Sequence, residues 1–141
     1  MAKFVLADTG FWYALYEPRD NNFDQANTIG ELIQEQNIIL PWPSLYETLS
    51  TRFTKRPDRM KQFKTIISKP NVNFIDDTEY KDNALNLTFD YSRIGSRTFS
   101  LVDVIIRELL KDDSLKIDYQ ITFNKRDFID LCQIRKIDIY D

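Results

Sequence analysis

The chain has 141 residues, 43% apolar and 29% charged, with a formal net charge of −3, which favours one globular domain, 1–141, with a substantial buried core. Three Gly and five Pro exclude collagen-like and Pro/Gly-rich disordered chains, and the single Cys132 excludes an internal disulfide. The absence of histidine excludes Ser-His-Asp triads, Cys-His nucleophile pairs and His-ligated zinc, leaving carboxylates, hydroxyls, Lys and Arg to carry any chemistry.

Residues 3–7 form a short apolar run ending at Asp8, the pattern of a strand buried on both faces. The run is too short for a signal-peptide core, and no stretch approaches the roughly 18 apolar residues of a membrane span. Cytoplasmic residence without a membrane partner is therefore the expectation. Residues 9–16 read as a short helix bearing Phe11, Trp12, Leu15 and Tyr16, stopped by Pro18 and the polar loop 19–22. Helical spacing returns over 23–36 at Phe23, Ala26, Ile29 and Ile33, followed by a second strand at 38–40. Pro41-Trp42-Pro43 turns into a helix with Ser44 as expected N-cap, Glu47 closing a capping box, and Leu45, Leu49 and Phe53 along one face. Pro57 opens the next helix, with Met60, Phe63, Ile66 and Ile67 inward, and Pro70 ends it. A third strand at 72–75 precedes a helix over 78–91, capped by Thr78, with Tyr80, Ala84, Leu87 and Tyr91 inward. After a loop at 93–99, Ser100 starts the most apolar helix, carrying Leu101, Val102, Ile105, Ile106, Leu109 and Leu110. Residues 118–123 and 137–140 supply two more strands. This alternation predicts an α/β domain with a mostly parallel sheet of four to five short strands flanked by helices.

Functional groups in such sheets gather outside the carboxyl ends of the strands, at a topological switch point. Asp8 ends the first strand and also suits the cap of the following helix. Glu47 follows Ser44, Asp103 follows Ser100 and Asp127 follows Asn124, each at capping-box spacing. Asp103 lies among Leu101, Val102, Ile105 and Ile106, where a charged carboxylate requires a partner or a metal. Capping explains each acid singly, but not why all fall at the starts of segments that converge on one sheet edge. Converging carboxylates repel unless a cation neutralises them. Oxygen donors without His or paired Cys suit Mg²⁺ or Mn²⁺ rather than zinc, and such a cluster is equipped for phosphodiester hydrolysis.

Four stretches, Val5-Leu6-Ala7-Asp8-Thr9, Pro43-Ser44-Leu45-Tyr46-Glu47-Thr48-Leu49, Ser100-Leu101-Val102-Asp103 and Ile121-Thr122-Phe123-Asn124-Lys125-Arg126-Asp127-Phe128, occur in an order that resembles PIN domains, the small ribonuclease fold of VapC-type toxins. The resemblance implies a single PIN-like domain and a metal-dependent endoribonuclease that uses metal-activated water and leaves 3′-hydroxyl and 5′-phosphate ends. It places the family's first acid on Asp8, its glutamate on Glu47 and its third acid on Asp103. The fourth position departs from the usual Asp: Asn124 offers a neutral oxygen, with Asp127 one turn later sharing the role. Mg²⁺ or Mn²⁺ would be held by Asp8, Glu47, Asp103, Asn124 and Asp127, with Thr9 and Ser100 as hydroxyl partners of the carboxylates or the scissile phosphate.

Residues 52–69 hold seven cations, from Arg52, Lys55 and Arg56 through Arg59 to Lys69, against the single acid Asp58; this +6 leaves −9 for the rest. Such an arm suits phosphate contact without sequence readout, with Arg93 and Arg97 joining from another loop, although a solvated helix pair explains the same charges. Trp12, Tyr13, Trp42 and Tyr46 are candidate stacking surfaces for unpaired RNA bases, or ordinary core aromatics. The resemblance also implies a small antitoxin as partner, and the amphipathic helices between 23 and 67 offer a surface for it or for a homodimer. Competing readings are a catalytically inactive PIN-like RNA- or protein-binding module, a haloacid-dehalogenase-class phosphatase and a receiver domain. The phosphatase class wants a second Asp where Gly10 stands, and Asp8 does not fit as the receiver's central acid. No P-loop occurs.

Overall fold

The computed structural model describes residues 2–141. β1 (Phe4–Ala7), β2 (Asn37–Pro41), β3 (Val72–Ile75), β4 (Tyr119–Ile121) and β5 (Asp138–Tyr140) form one sheet in the order β3-β2-β1-β4-β5, and every neighbouring pair is parallel. The α/β reading therefore holds. β1 is central, and its Val5, Leu6 and Ala7 have no solvent exposure, because helices cover both faces of a parallel sheet. Leu6 pairs in register with Ile39 and Gln120, and Ala7 with Ile121. The chain leaves β1 toward β2 on one side and reaches β4 on the other, so the switch point lies between β1 and β4.

Strand alternation divides the core. Val5 and Ala7 face α1 (Thr9–Tyr16), α2 (Phe23–Leu32) and the aromatic cluster beneath them, whereas Leu6 and Ile39 face Ile106, Leu110, Phe128 and Leu131. α3 (Trp42–Thr48), α4 (Thr51–Thr54) and α5 (Pro57–Ile67) follow β2. Edge-to-face contacts of Phe63 with Trp12 (5.3 Å) and Phe53 (5.7 Å) tie α1, α4 and α5 together. α6 (Lys81–Ile94) packs on α7 (Leu101–Lys111) through Ala84, Phe99, Val104 and Ile105, while α8 (Ile129–Arg135) precedes β5. No helix among the described residues is long and apolar enough to cross a membrane.

Several local expectations give way. Ser44 is not an N-cap: α3 starts at Trp42 with Pro41 as its cap, and Pro43 sits in the first turn, where its missing N–H is harmless. Ser44 is fully buried inside the helix and forms no capping box with Glu47. The predicted helix face through Phe53 is interrupted after Thr48 and resumes as α4. α2 stops at Leu32, short of residue 36. Thr78 does not cap α6, because its hydroxyl bonds Asp76 and the helix starts at Lys81. α6 runs past Tyr91 to Ile94, where Gly95 supplies the left-handed residue (φ 77°) that ends it. Pro57 does open α5, and Ser100 does cap α7.

Candidate active site

Asp8 lies just past the end of β1, 9% exposed, and its main-chain N–H donates to Ile121 O (3.0 Å) across the switch point. Its Oδ1 accepts from Thr9 N–H (2.8 Å), which makes it the N-cap of α1, and its Oδ2 accepts from the Thr122 hydroxyl (3.1 Å). Capping and site membership therefore coincide in one residue. Burial, then the Asp103 charge, with a smaller contribution from Glu47, pushes the Asp8 carboxyl up to about 6, against the two hydrogen bonds that favour its charged form.

Thr9 is buried, and its hydroxyl donates to Glu47 Oε1 (2.8 Å), linking α1 to the exposed carboxylate on α3. Tyr13, one turn later on α1, donates its hydroxyl to Glu47 O (2.8 Å) and lies 2.7 Å from the Ser50 hydroxyl, which fixes the end of α3. Asp103 N–H donates to Ser100 Oγ (3.1 Å) in the first turn of α7. Burial raises the Asp103 carboxyl, with the Asp127 charge adding to it and Ser100 opposing. After β4, Asn124 N–H donates to Thr122 Oγ1 (3.0 Å), and the Asn124 side-chain amide donates to Asp127 Oδ2. Asn124 does not act as a side-chain cap of the 3-10 turn Lys125–Asp127; its amide is spent on the neighbouring acid instead.

Hydrogen bonds and mutual charge thus join Asp8, Thr9, Glu47, Asp103, Ser100, Asn124 and Asp127 at the carboxyl ends of β1 and β4. Thr122 stands out in the sequence only as part of a motif, yet its hydroxyl receives from Asn124 and donates to Asp8. The signal available is a Thr closing a strand two residues before Asn124. Arg97 joins on the acidic side, 3.9 Å from Asp127 and stacked over Phe99 (4.9 Å), whereas Arg93 stays exposed beside Asp90. Among the described residues no three metal-binding side chains stand close enough to enclose an ion directly. The donor chemistry nevertheless fits a hard ion: the set is all oxygen, and two acids are disfavoured in their charged forms. Mg²⁺ normally takes one or two carboxylates and keeps several waters rather than an all-protein cage.

The basic arm is divided. Arg59 is 6% exposed and paired with Glu17 (2.5 Å), so it is not the phosphate ligand its sequence position suggested. Arg52, Lys55 and Arg56 are exposed and line a groove of about 910 Å³ with Arg19 and Asp20. Arg52 also borders a smaller cleft with Gly10, Asp20 and Tyr13, the last hydrogen-bonded to the main chain of Glu47. Trp12 is 1% exposed and belongs to the core, so it offers no stacking face. Trp42 (40%) and Tyr46 (71%) are exposed, and Trp42 stacks on Phe74 at 5.4 Å.

No protein-family profile matches the chain, and no curated protein matches it either. Solved structures do. VapC20 of Mycobacterium tuberculosis, described as a sarcin-ricin loop cleaving toxin, superposes with a TM-score of 0.67 at 17% identity, covering 87% of this chain and 92% of that one. FitAcB of Neisseria gonorrhoeae gives 0.59 at 14% identity, covering 97% and 96%. VapBC2 of Rickettsia felis, solved with a DNA fragment from its promoter, gives 0.56 at 17% identity, covering 96% of each. Across nearly its whole length the chain therefore has the PIN-like α/β fold found in VapC toxins.

Proposed function

We propose that this chain is a Mg²⁺- or Mn²⁺-dependent endoribonuclease and the toxin of a toxin–antitoxin pair. The observation that carries the reading is Asp8: a buried carboxylate at the switch point, raised to about 6 by burial and by the facing charges of Asp103 and Glu47. Such a group is arranged to receive a cation, and structural acids of this kind are usually paired with Arg or Lys. Asp8 and Asp103 would hold the ion, with Glu47, Asp127 and the neutral Asn124 oxygen reaching it through coordinated water. A bound divalent ion supplies positive charge to the scissile phosphate and lowers the pKa of a coordinated water.

The chain's own groups do the remaining work. Thr9 holds Glu47 by one oxygen and so fixes that carboxylate relative to Asp8, the neighbour of Thr9 in sequence. Thr122 orients Asp8 while anchoring Asn124. Arg52 stands where an RNA strand leaving the carboxylates would pass, and Arg19, Lys55 and Arg56 continue that track as backbone-phosphate contacts. Trp42 and Tyr46, the latter next to Glu47, stack unpaired bases. The helices between 23 and 67 receive the antitoxin. Support for the nuclease and partner readings comes from neighbours described as a loop-cleaving toxin and as VapBC2 with its promoter fragment.

The test is cleavage of a mixed small-RNA pool in Mn²⁺, Mg²⁺ and excess EDTA, beside Asp103→Asn. Metal-dependent cleavage that vanishes in the variant is expected. Folded protein that neither cleaves RNA nor takes up Mn²⁺ would make the chain a binding module with a site disabled at Asn124.

A further inference from the structure

The buried arginine of α7 has no part in the chemistry proposed for the carboxylates. Arg107 is 6% exposed, on the face of α7 that also carries Asp103 and the buried Val104 and Leu110. A leucine or methionine would pack that face without the cost of burying a charge. What the guanidinium gains is specific: Nη1 and Nη2 take both oxygens of Asp130 at 2.9 and 2.8 Å, and Nη1 also donates to the main-chain carbonyl of Asp127 at 2.6 Å. Its plane is held over Phe99 at 4.6 Å, and Tyr91 lies at 5.9 Å. The 3-10 turn it grips has no side-chain cap of its own.

We infer that Arg107 is a positioning residue for the site: it locks the turn carrying Asn124 and Asp127 to α7, the helix that carries Asp103. Asp103 and Arg107 are four residues apart and share a helix face. One rigid helix thus presents one acid and, a turn later, fixes the main chain of the second. Asn124 follows, because its amide is tied to Asp127. The inference rests on the proposed metal-nuclease reading and adds the device that sets the spacing of its acids. Arg107 touches neither ion nor substrate.

The test compares Arg107→Met, Arg107→Lys and Asp130→Asn with Leu110→Ala, which loosens α7 packing but leaves the fork intact. Calorimetry with Mn²⁺, kcat and KM on RNA, and amide exchange of metal-free protein over residues 124–128 are read together. Arg107→Met should weaken Mn²⁺ binding about tenfold, as loss of outer-shell partners does, and lower kcat with little change in KM. Arg107→Lys keeps the charge without the fork and should follow Arg107→Met. Asp130→Asn, the mildest change, should show the same trend if Arg107→Met does not fold. Leu110→Ala should lose stability but keep Mn²⁺ affinity. Unchanged Mn²⁺ affinity in Arg107→Met, or an equal loss in Leu110→Ala, would overturn the inference. If the wild type neither binds Mn²⁺ nor cleaves RNA, the nuclease reading falls by itself. Exchange then decides the clamp: faster exchange at Asp127 in Arg107→Met upholds it, and unchanged exchange refutes it.

Discussion

Asp8→Asn should stabilise the metal-free protein at neutral pH while abolishing cleavage. Asp8 is 9% exposed, and its carboxyl is raised from 3.8 to about 6 by burial and then by Asp103. A raised acid binds its proton more tightly in the native state than in the unfolded chain. Its contribution to stability is therefore complete below about pH 4 and is lost as pH rises through about 6. Above that, ionised Asp8 costs the native state roughly 3 kcal/mol at most. Asn keeps an acceptor for Thr9 N–H, but its amide NH₂ stands where Asp8 Oδ2 receives the Thr122 hydroxyl proton. Losing that hydrogen bond returns about 1 kcal/mol, leaving a gain of about 2 kcal/mol. Urea and thermal unfolding in EDTA from pH 4 to 8 measure it. The variant should melt several degrees higher at pH 7.5, and the gap should close toward pH 4. Mn²⁺ should reverse the order, because an ion that binds only the native wild type stabilises it by mass action. A variant no more stable than wild type at pH 7.5 in EDTA, with a difference that ignores pH, would mean that ionised Asp8 carries no such cost.

Reversing Arg52, Lys55 and Arg56 to Glu should weaken single-stranded RNA binding and lower its log–log salt slope by about 0.7 for each phosphate that is no longer neutralised; an unchanged slope would return these charges to solubility. Thr9→Val removes the donor to Glu47 at nearly constant shape and should slow cleavage about fivefold, the equivalent of about 1 kcal/mol, with Thr9→Ser restoring most of it. Phe63→Ala removes the ring against which Trp12 and Phe53 pack and should cost about 3–5 kcal/mol in urea unfolding.

The fold is legible in the sequence where local and tertiary demands agree. β1 shows as a strand because every side chain from Val5 to Ala7 is buried, and α7 shows because a Ser cap precedes an apolar run. The acids are legible for a topological reason: parallel sheets bring strand ends to one edge, so Asp8 and the Asn124–Asp127 turn converge although 116 residues separate Asp8 from Asn124. Partners distant in sequence are not legible. Arg59 sits in a run of exposed cations, and nothing local shows that Glu17, 42 residues earlier, draws it inward. Trp12 is amphipathic in sequence and becomes core because Phe63 arrives from another helix. Thr122 gains its role from the adjacency of β1 and β4. Ser44 misleads because a proline in the first turn of a helix looks the same as one in a loop.

Hydrolysis of RNA by activated water at the Asp8–Asp103 centre leaves its signature on the ends of the cleaved strands. One defined single-stranded RNA that the wild type cuts is incubated with wild type and Asp103→Asn in Mn²⁺ and in EDTA, and the termini are identified. Wild type in Mn²⁺ should leave 5′-phosphate and 3′-hydroxyl ends, and the RNA should stay intact in the other three conditions. Cyclic-phosphate ends, or cleavage that survives EDTA or Asp103→Asn, would contradict activated-water hydrolysis at this centre.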